Sequence, residues 1–314
     1  VKGWRLLGDI GGTNARFARS ESASEPYALR TYNVSDFKDF NQAITRYLTD
    51  SEGLQGCESV AVCAAGPVLN GQIKLTNAPW RISASDVSRL AGNVPIVLYN
   101  DLEAVALALP HLNNTDVMPI GEVVRLPSTN GRMLAINVGT GFGAALTLPS
   151  GGTWVTCPSE AGHMSFGAQN ETEHTLLGGE SSSEFAIEDV LSGQGLVNLY
   201  RNQCRMLGTA AAASVADEVF PLASSDAAAE ETLRVFTLWL GRAARNLTLA
   251  TTAWGGVFFT GGVIQGWSTV ASGREFRESF EASRGMQEPL QCTRTAVITH
   301  PLIALRGLAR ARII

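Results

Sequence analysis

Apolar runs that stop abruptly at glycine turns set the pattern of this chain. Residues 4–7 read as a buried strand and residues 15–19 as a second strand returning beside it. Between them, within "GDIGGTNARF" at 8–17, Gly11 and Gly12 stand where a short connection demands unusual backbone angles. The pattern recurs. Residues 133–136 are apolar and run into "NVGTGFGAA" at 137–145, so that Asp9-Ile10-Gly11-Gly12 and Asn137-Val138-Gly139-Thr140 align as one motif used twice. Two related halves are the expectation. A third glycine turn, "FFTGGV" at 258–263, follows another strand-like run.

The intervening segments alternate in period. Helical spacing covers 36–50 through Phe37, Phe40, Ile44 and Leu48, and a strand follows at 59–64 before the Gly66-Pro67 turn. Residues 83–90 read as a short helix with Ser83 as N-cap and Asp86 in the capping-box position. The run 95–101 is a buried strand whose end presents Asn100 and Asp101, and a helix over 103–109 is stopped by Pro110. The polar stretch 113–121 reads as a linker, which places a domain boundary near 110. Further on, alanine-rich 209–219 reads as helical, and 226–252 as a long helix with Leu233, Phe236, Leu240, Ala244 and Leu247 on one stripe. A strand at 295–298 and a helix from Pro301 close the pattern. Strands alternating with helices predict an α/β protein with mixed sheets.

Composition narrows the partners. The 314 residues favour two domains, and 45% hydrophobic with 17% charged residues is an ordinary globular balance. A net charge of −5 argues against nucleic acid or an anionic membrane as partner, since both need clustered positive charge. No apolar stretch reaches the roughly 18–20 residues of a membrane helix, and Asp9 interrupts the first apolar run before a signal-peptide core could form. The five cysteines are dispersed without a C-x-x-C pair, so neither a disulfide framework nor a cysteine zinc site is indicated and a reducing cytoplasm fits. Lysine occurs only at Lys2, Lys38 and Lys74, none of them after a glycine, which rules out a P-loop. The Rossmann spacing is also missing. Any phosphate bound here must rely on turn N–H groups and Mg²⁺, with Asp9 able to hold the ion directly or through water.

Four polar clusters remain: Asn77 in "LTNAPW", Asn100-Asp101, Glu160 with His163 in "PSEAGHMSF", and Glu188 in "EDVLSGQGLVNLY". Each also has a purely structural use, as a turn beside Trp80, a helix cap, a loop pair or a solvated helix face. As a set they contain no lysine or arginine, which suits a neutral polyhydroxylated ligand such as a sugar better than a phosphorylated one. A carboxylate beside a sugar hydroxyl can take its proton as phosphate is transferred.

In order and spacing, "GDIGGTNARFA", "YNDLEAVA", "NVGTGFG", "PSEAGHMSF", "EDVLSGQGLVNLY" and "GGVFFTGGV" resemble the bacterial ATP-dependent glucokinases of the actin/hexokinase superfamily, over nearly the whole chain. The resemblance implies a two-domain actin-like ATPase (ribonuclease H-like) α/β fold with mixed sheets and an interdomain cleft. Residues 1–110 plus 301–314 would form the small domain and 111–300 the large one, in a homodimer. It implies glucose and MgATP as substrates, Asp101 as catalytic base, and Asn100, Glu160, His163 and Glu188 as glucose ligands, to which the set of polar clusters adds Asn77 as a sugar-binding residue. Asp9 with Gly11, Gly12, Thr13 and Asn14, and Gly139, Thr140 and Gly141, would be the phosphate turns, with Asp9 on Mg²⁺ and Gly261 and Gly262 facing the adenosine. Related repressor/kinase-family sugar kinases carry a cysteine-rich zinc motif after the equivalent histidine. None follows His163, which is therefore expected on the sugar. Kinases for fructose, mannose or an N-acetylhexosamine, and nucleotide-dependent binding proteins of the same superfamily, are the competing readings. The stretch 164–187 matches the family poorly.

Overall fold

The computed structural model describes residues 3–51, 53–76, 78–123, 131–178 and 184–313, and its chain divides into two compact units. The first comprises Val1–Leu112, Trp154–Pro158 and His300–Ile314, and the second Asn113–Thr153 and Ser159–Thr299. Among the described residues no helix is long and apolar enough to cross a membrane.

In the first unit the strands β1 (Trp4–Ile10), β2 (Asn14–Ser20), β3 (Tyr27–Asn33) and β4 (Cys57–Ala64) are joined through α1 (Phe40–Asp50). A small antiparallel sheet of β5 (Val68–Leu69), β6 (Gln72–Lys74) and β7 (Arg81–Ser83) precedes α2 (Ala84–Leu90), β8 (Ile96–Asn100) and α3 (Asp101–Ala108). The main sheet has the order β3-β2-β1-β4-β8, antiparallel across its first three strands and parallel from β1 to β8. Trp4, Leu6, Phe17, Phe40, Tyr47 and Trp80 form the centre of its core.

The second unit opens with β9 (Val117–Pro119), β10 (Met133–Val138) and β11 (Phe142–Ser150), and β12 (Thr153–Ser159) follows, its residues 154–158 grouping with the first unit. Next come β13 (Ser165–Phe166), α4 (Glu171–Leu176), β14 (Phe185–Ala186), α5 (Ile187–Val190), α6 (Gly193–Leu207), α7 (Ala216–Leu222) and α8 (Ala227–Thr251). The series continues with β15 (Gly256–Thr260), α9 (Gly262–Ser268), α10 (Gly273–Glu281), α11 (Gln287–Cys292) and β16 (Thr295–Ile298). Within this unit the sheet runs β11-β10-β15-β16-β9. Its hairpin β10-β11 is antiparallel and its steps β10-β15-β16 are parallel, the same plan as β2-β1-β4-β8. The motif that occurs twice in the sequence thus sits at the same point of two similarly built sheets. Core residues include Phe236, Trp239, Leu240, Phe259, Trp267 and Phe276, with the Trp267 indole N–H bonded to Thr237 Oγ1 at 2.8 Å.

The chain then completes the first unit with α12 (Ile303–Ala309), which crosses α3 so closely that a Cβ on Gly307 would lie 1.8 Å from the carbonyl oxygen of Ala104. Arg5 of β1 donates from Nη1 to the carbonyls of Leu308, Ala309 and Ala311, at 3.0, 3.1 and 2.7 Å, satisfying the orphan groups that end a helix. Gly307→Ala should therefore destabilise the protein by about 1–3 kcal/mol, the usual cost of overpacking. A lower urea midpoint with unchanged slope is the expected reading; an unshifted midpoint would mean that the two helices part at no cost.

Several local expectations are corrected. The stretch 113–121 is no linker: Asn114–Asp116 is a 3₁₀ turn and Val117–Pro119 an edge strand that pairs antiparallel with β16. A three-residue edge strand is too short to show a period. Residues 209–215 are not helical, because Gly208 ends α6 in the left-handed conformation and the Ala212 N–H bonds the Tyr200 hydroxyl at 3.2 Å. Alanine's helix preference is worth only tenths of a kcal/mol per residue, roughly, and yields to such contacts. The helix expected over 36–50 starts at Phe40, where the Asp39 side chain accepts from the Gln42 N–H at 2.9 Å. At 83–90 the helix forms without a side-chain cap bond, since the Ser83 hydroxyl is paired with that of Ser85 at 2.9 Å. The last helix starts at Ile303 and not at Pro301.

Candidate active site

The first glycine turn begins where β1 and β2 stop pairing, at Ile10 opposite Ala15. It is closed by Gly11 N–H on Asn14 O at 2.9 Å, and Val34 N–H bonds the Thr13 carbonyl at 2.8 Å. No described group accepts from the N–H groups of Gly12 and Thr13, so both are left to meet an anion. Asp9, one residue before the end of β1, faces Arg16 across the hairpin and Cys63 across the parallel pair. Arg16 Nη1 reaches Asp9 Oδ2 at 3.3 Å and the Cys63 thiol donates to Oδ1 at 3.6 Å. Burial pushes the Asp9 carboxyl above the usual carboxylate range, and Arg16 pulls it back. Sequence reasoning missed Arg16. Its signal was the register of the hairpin, which places a residue seven positions on directly opposite Asp9.

At the end of β8 the two adjacent polar residues have divided their duties. Asn100 is the helix cap: its Oδ1 accepts from Leu102 N–H at 3.0 Å and its amide donates to the Gly66 carbonyl at 3.2 Å. That carbonyl is brought in by a turn only glycine can make, for Gly66 has φ +156° and a Cβ there would stand 2.5 Å from Lys74 O. Asp101 is the first residue of α3, so the expected strand ends one residue earlier. It is not needed as the cap. Its Oδ1 accepts from the neighbouring Leu102 N–H at 2.9 Å. Burial, and then the negative charge of Asp9, push its carboxyl above the usual range. The charge of Asp9 adds to the cost of ionising Asp101, a cost that a divalent cation nearby would relieve. Glu103 completes the cap with Oε2 accepting from Asn100 N–H at 3.2 Å, while its Oε1 accepts from the Thr156 hydroxyl at 3.3 Å.

In the second unit the hairpin turn is shorter, Val138 pairing with Phe142. Gly139 donates to Gly141 O at 3.0 Å and accepts from Gly193 N–H at 2.8 Å, leaving Thr140 and Gly141 N–H without a described acceptor. The third turn lies against it. Gly261, at φ +107°, would with a Cβ stand 2.3 Å from Val138 O, and Gly262 has nothing within 4 Å of its Cβ position. Glu188 of α5 is tied to the same hairpin through Phe142 N–H on its Oε2 at 2.8 Å, and a Cβ on Gly141 would meet that oxygen at 2.3 Å. Glu160 and His163 bracket the 3₁₀ turn Ala161–His163, with His163 N–H on Glu160 O at 3.0 Å. Their side chains approach to 4.0 Å and are 82% and 71% exposed, which leaves their hydrogen-bonding groups open to a ligand. Gly162 fixes this turn to the hairpin, since its Cβ position is 2.3 Å from Phe142 O and 3.6 Å from Glu188 Oε2. Asn77 lies outside the described residues.

Residues 6–312 match the family model described as Glucokinase. A glucokinase from Chelativorans sp. (strain BNC1) is 37% identical over 97% of this chain and 90% of its own length, and one from Sinorhizobium medicae (strain WSM419) is 35% identical with the same coverage. Among solved structures, a glucokinase from an Antarctic psychrotroph is similar with a TM-score of 0.87 and 29% identity, covering 98% of each chain.

Proposed function

The chain belongs to the glucokinase family, and on that premise we propose that it transfers the γ-phosphoryl group of ATP to the 6-hydroxyl of glucose, giving glucose 6-phosphate and ADP. The observation that carries the catalytic assignment is the division of labour at the end of β8. With Asn100 holding the helix cap, the Asp101 carboxylate is spared for proton transfer. In this reading Asp101 withdraws the hydroxyl proton as the sugar oxygen attacks the γ-phosphorus, and the bond to the bridging oxygen breaks to release ADP. Glu160, His163 and Glu188 receive the sugar hydroxyls, together with the remaining amide N–H of Asn100 and with Asn77. The open N–H groups of Gly12, Thr13, Thr140 and Gly141 hold phosphate oxygens, and Gly261 and Gly262 leave side-chain-free backbone for the nucleoside. Gly11, Gly139 and Asn14 shape the turns.

Asp9, with the charge of Asp101 beside it, would hold Mg²⁺ directly or through water. When bound, the ion supplies neutralising charge to the β- and γ-phosphates. The same reading has the enzyme working as a cytoplasmic homodimer.

Sugar selectivity tests it. Polar groups that a bound sugar takes out of water and leaves unpaired weaken binding, so glucose should exceed fructose and N-acetylglucosamine in kcat/KM in a coupled assay with MgATP. Equal or better turnover of either competitor would move the assignment to a different hexose.

A further inference from the structure

Glu103 is used twice over. One carboxylate oxygen, Oε2, takes the Asn100 N–H and closes the cap of the helix whose first residue is Asp101; the other, Oε1, takes the hydroxyl of Thr156. Thr156 belongs to Trp154–Pro158, the short stretch that groups with the first unit although the chain on either side belongs to the second. Four residues after Thr156 the chain reaches Glu160, and two residues before Glu103 stands Asp101. The carboxylate is half-buried; burial pushes it above the usual carboxylate range, and its two hydrogen bonds pull it only partly back.

We propose that Glu103 is a positioning residue. It touches no reacting atom, but fixes the first turn of α3, and so the direction of the Asp101 carboxylate, while holding the strand whose continuation carries Glu160. The inference rests on the roles given above to Asp101 and Glu160. A side chain that only capped a helix would need one oxygen and a partner within its own turn. The second bond, across 53 positions of sequence, is what a cap does not require.

The test is a cycle of Glu103→Ala, Thr156→Val and their double variant, with Glu103→Gln as rescue. Glucose binding is followed by calorimetry, turnover by steady-state kinetics with MgATP, and folding by thermal melting. Glu103→Ala should lower kcat about tenfold, since small misplacements of a catalytic group cost up to roughly 100-fold, and should raise the glucose Kd. Thr156→Val, which loses only the strand contact, should raise the glucose Kd while largely keeping kcat. The double variant should bind glucose no worse than Glu103→Ala, because the two side chains act through one bond. Glutamine can accept from Asn100 N–H through its carbonyl and donate to the Thr156 hydroxyl through its amide, and should restore both quantities.

Full kcat and glucose affinity in Glu103→Ala, with only its melting lowered, would reduce the residue to a helix cap. Multiplying effects in the double variant, or a glutamine as impaired as the alanine, would equally overturn the proposal. Asp101→Asn measured alongside separates the two readings. Near-normal turnover there removes the base and with it the kcat half of the inference, while the calorimetric cycle judges the other half.

Discussion

Asp101→Asn is expected to lower kcat by about 10²- to 10⁴-fold, the usual worth of a positioned general base, with glucose affinity weakened far less. The amide keeps the shape and the bond from Leu102 N–H but cannot accept a proton. Because burial and Asp9 raise the Asp101 carboxyl above the usual carboxylate range, wild-type kcat should fall as the pH drops through that raised value, and the variant should lose this limb. The same shift fixes the sign for stability. A carboxyl whose folded-state pKa is raised contributes stability that is complete below its unfolded pKa and lost as the pH rises through the folded one. At neutral pH the ionised Asp101 is thus a burden on the fold, and the asparagine variant should melt no lower than wild type. Near-normal turnover would show that Asp101 is not the base.

Gly162→Ala should weaken glucose binding by about 10- to 100-fold, or about 1.4–2.8 kcal/mol. The new methyl would stand 2.3 Å from the Phe142 carbonyl oxygen, which is backbone and has no rotamer to move to. The 3₁₀ turn must lift from the hairpin, carrying Glu160 and His163 with it and crowding Glu188, whose Oε2 lies 3.6 Å from the same point. Calorimetry with glucose reads the effect directly. Wild-type affinity would mean that this turn does not present the sugar ligands.

What could be read from the sequence was whatever announces itself over a few neighbouring residues. The glycine turns after β1 and β10 were legible because an apolar run broken by glycine fixes both the strand and its reversal. Helix α8 was legible because its stripe repeats over 25 residues. The edge strand Val117–Pro119 was not, since its only structural cause is a partner strand nearly 180 positions away. At Asn100-Asp101 the sequence offered a cap or a base. Leu102 N–H is shared by both side chains, and it is the bond from Asn100 N–H to Glu103, together with that from Asn100 to Gly66 O, that assigned the cap to the asparagine. Arg16 on Asp9, Phe142 on Glu188 and Thr156 on Glu103 are pairings across strands or between distant segments. Such contacts leave no local period and escape a reading along the chain.

The clasp between Arg5 and the end of α12 also sets an order of events during synthesis. Arg5 and Leu308 are separated by 303 residues, an interval on the order of 15–60 s at typical translation rates of about 5–20 residues per second. Throughout that interval the N-terminal strands are present without the helix that covers α3 and Ala104. The second unit, by contrast, has every one of its segments once residue 299 has been made. The unit whose first strands are made early is therefore the one whose set of segments is completed last, and the face of α3 at Ala104 has no covering helix until α12 has been made.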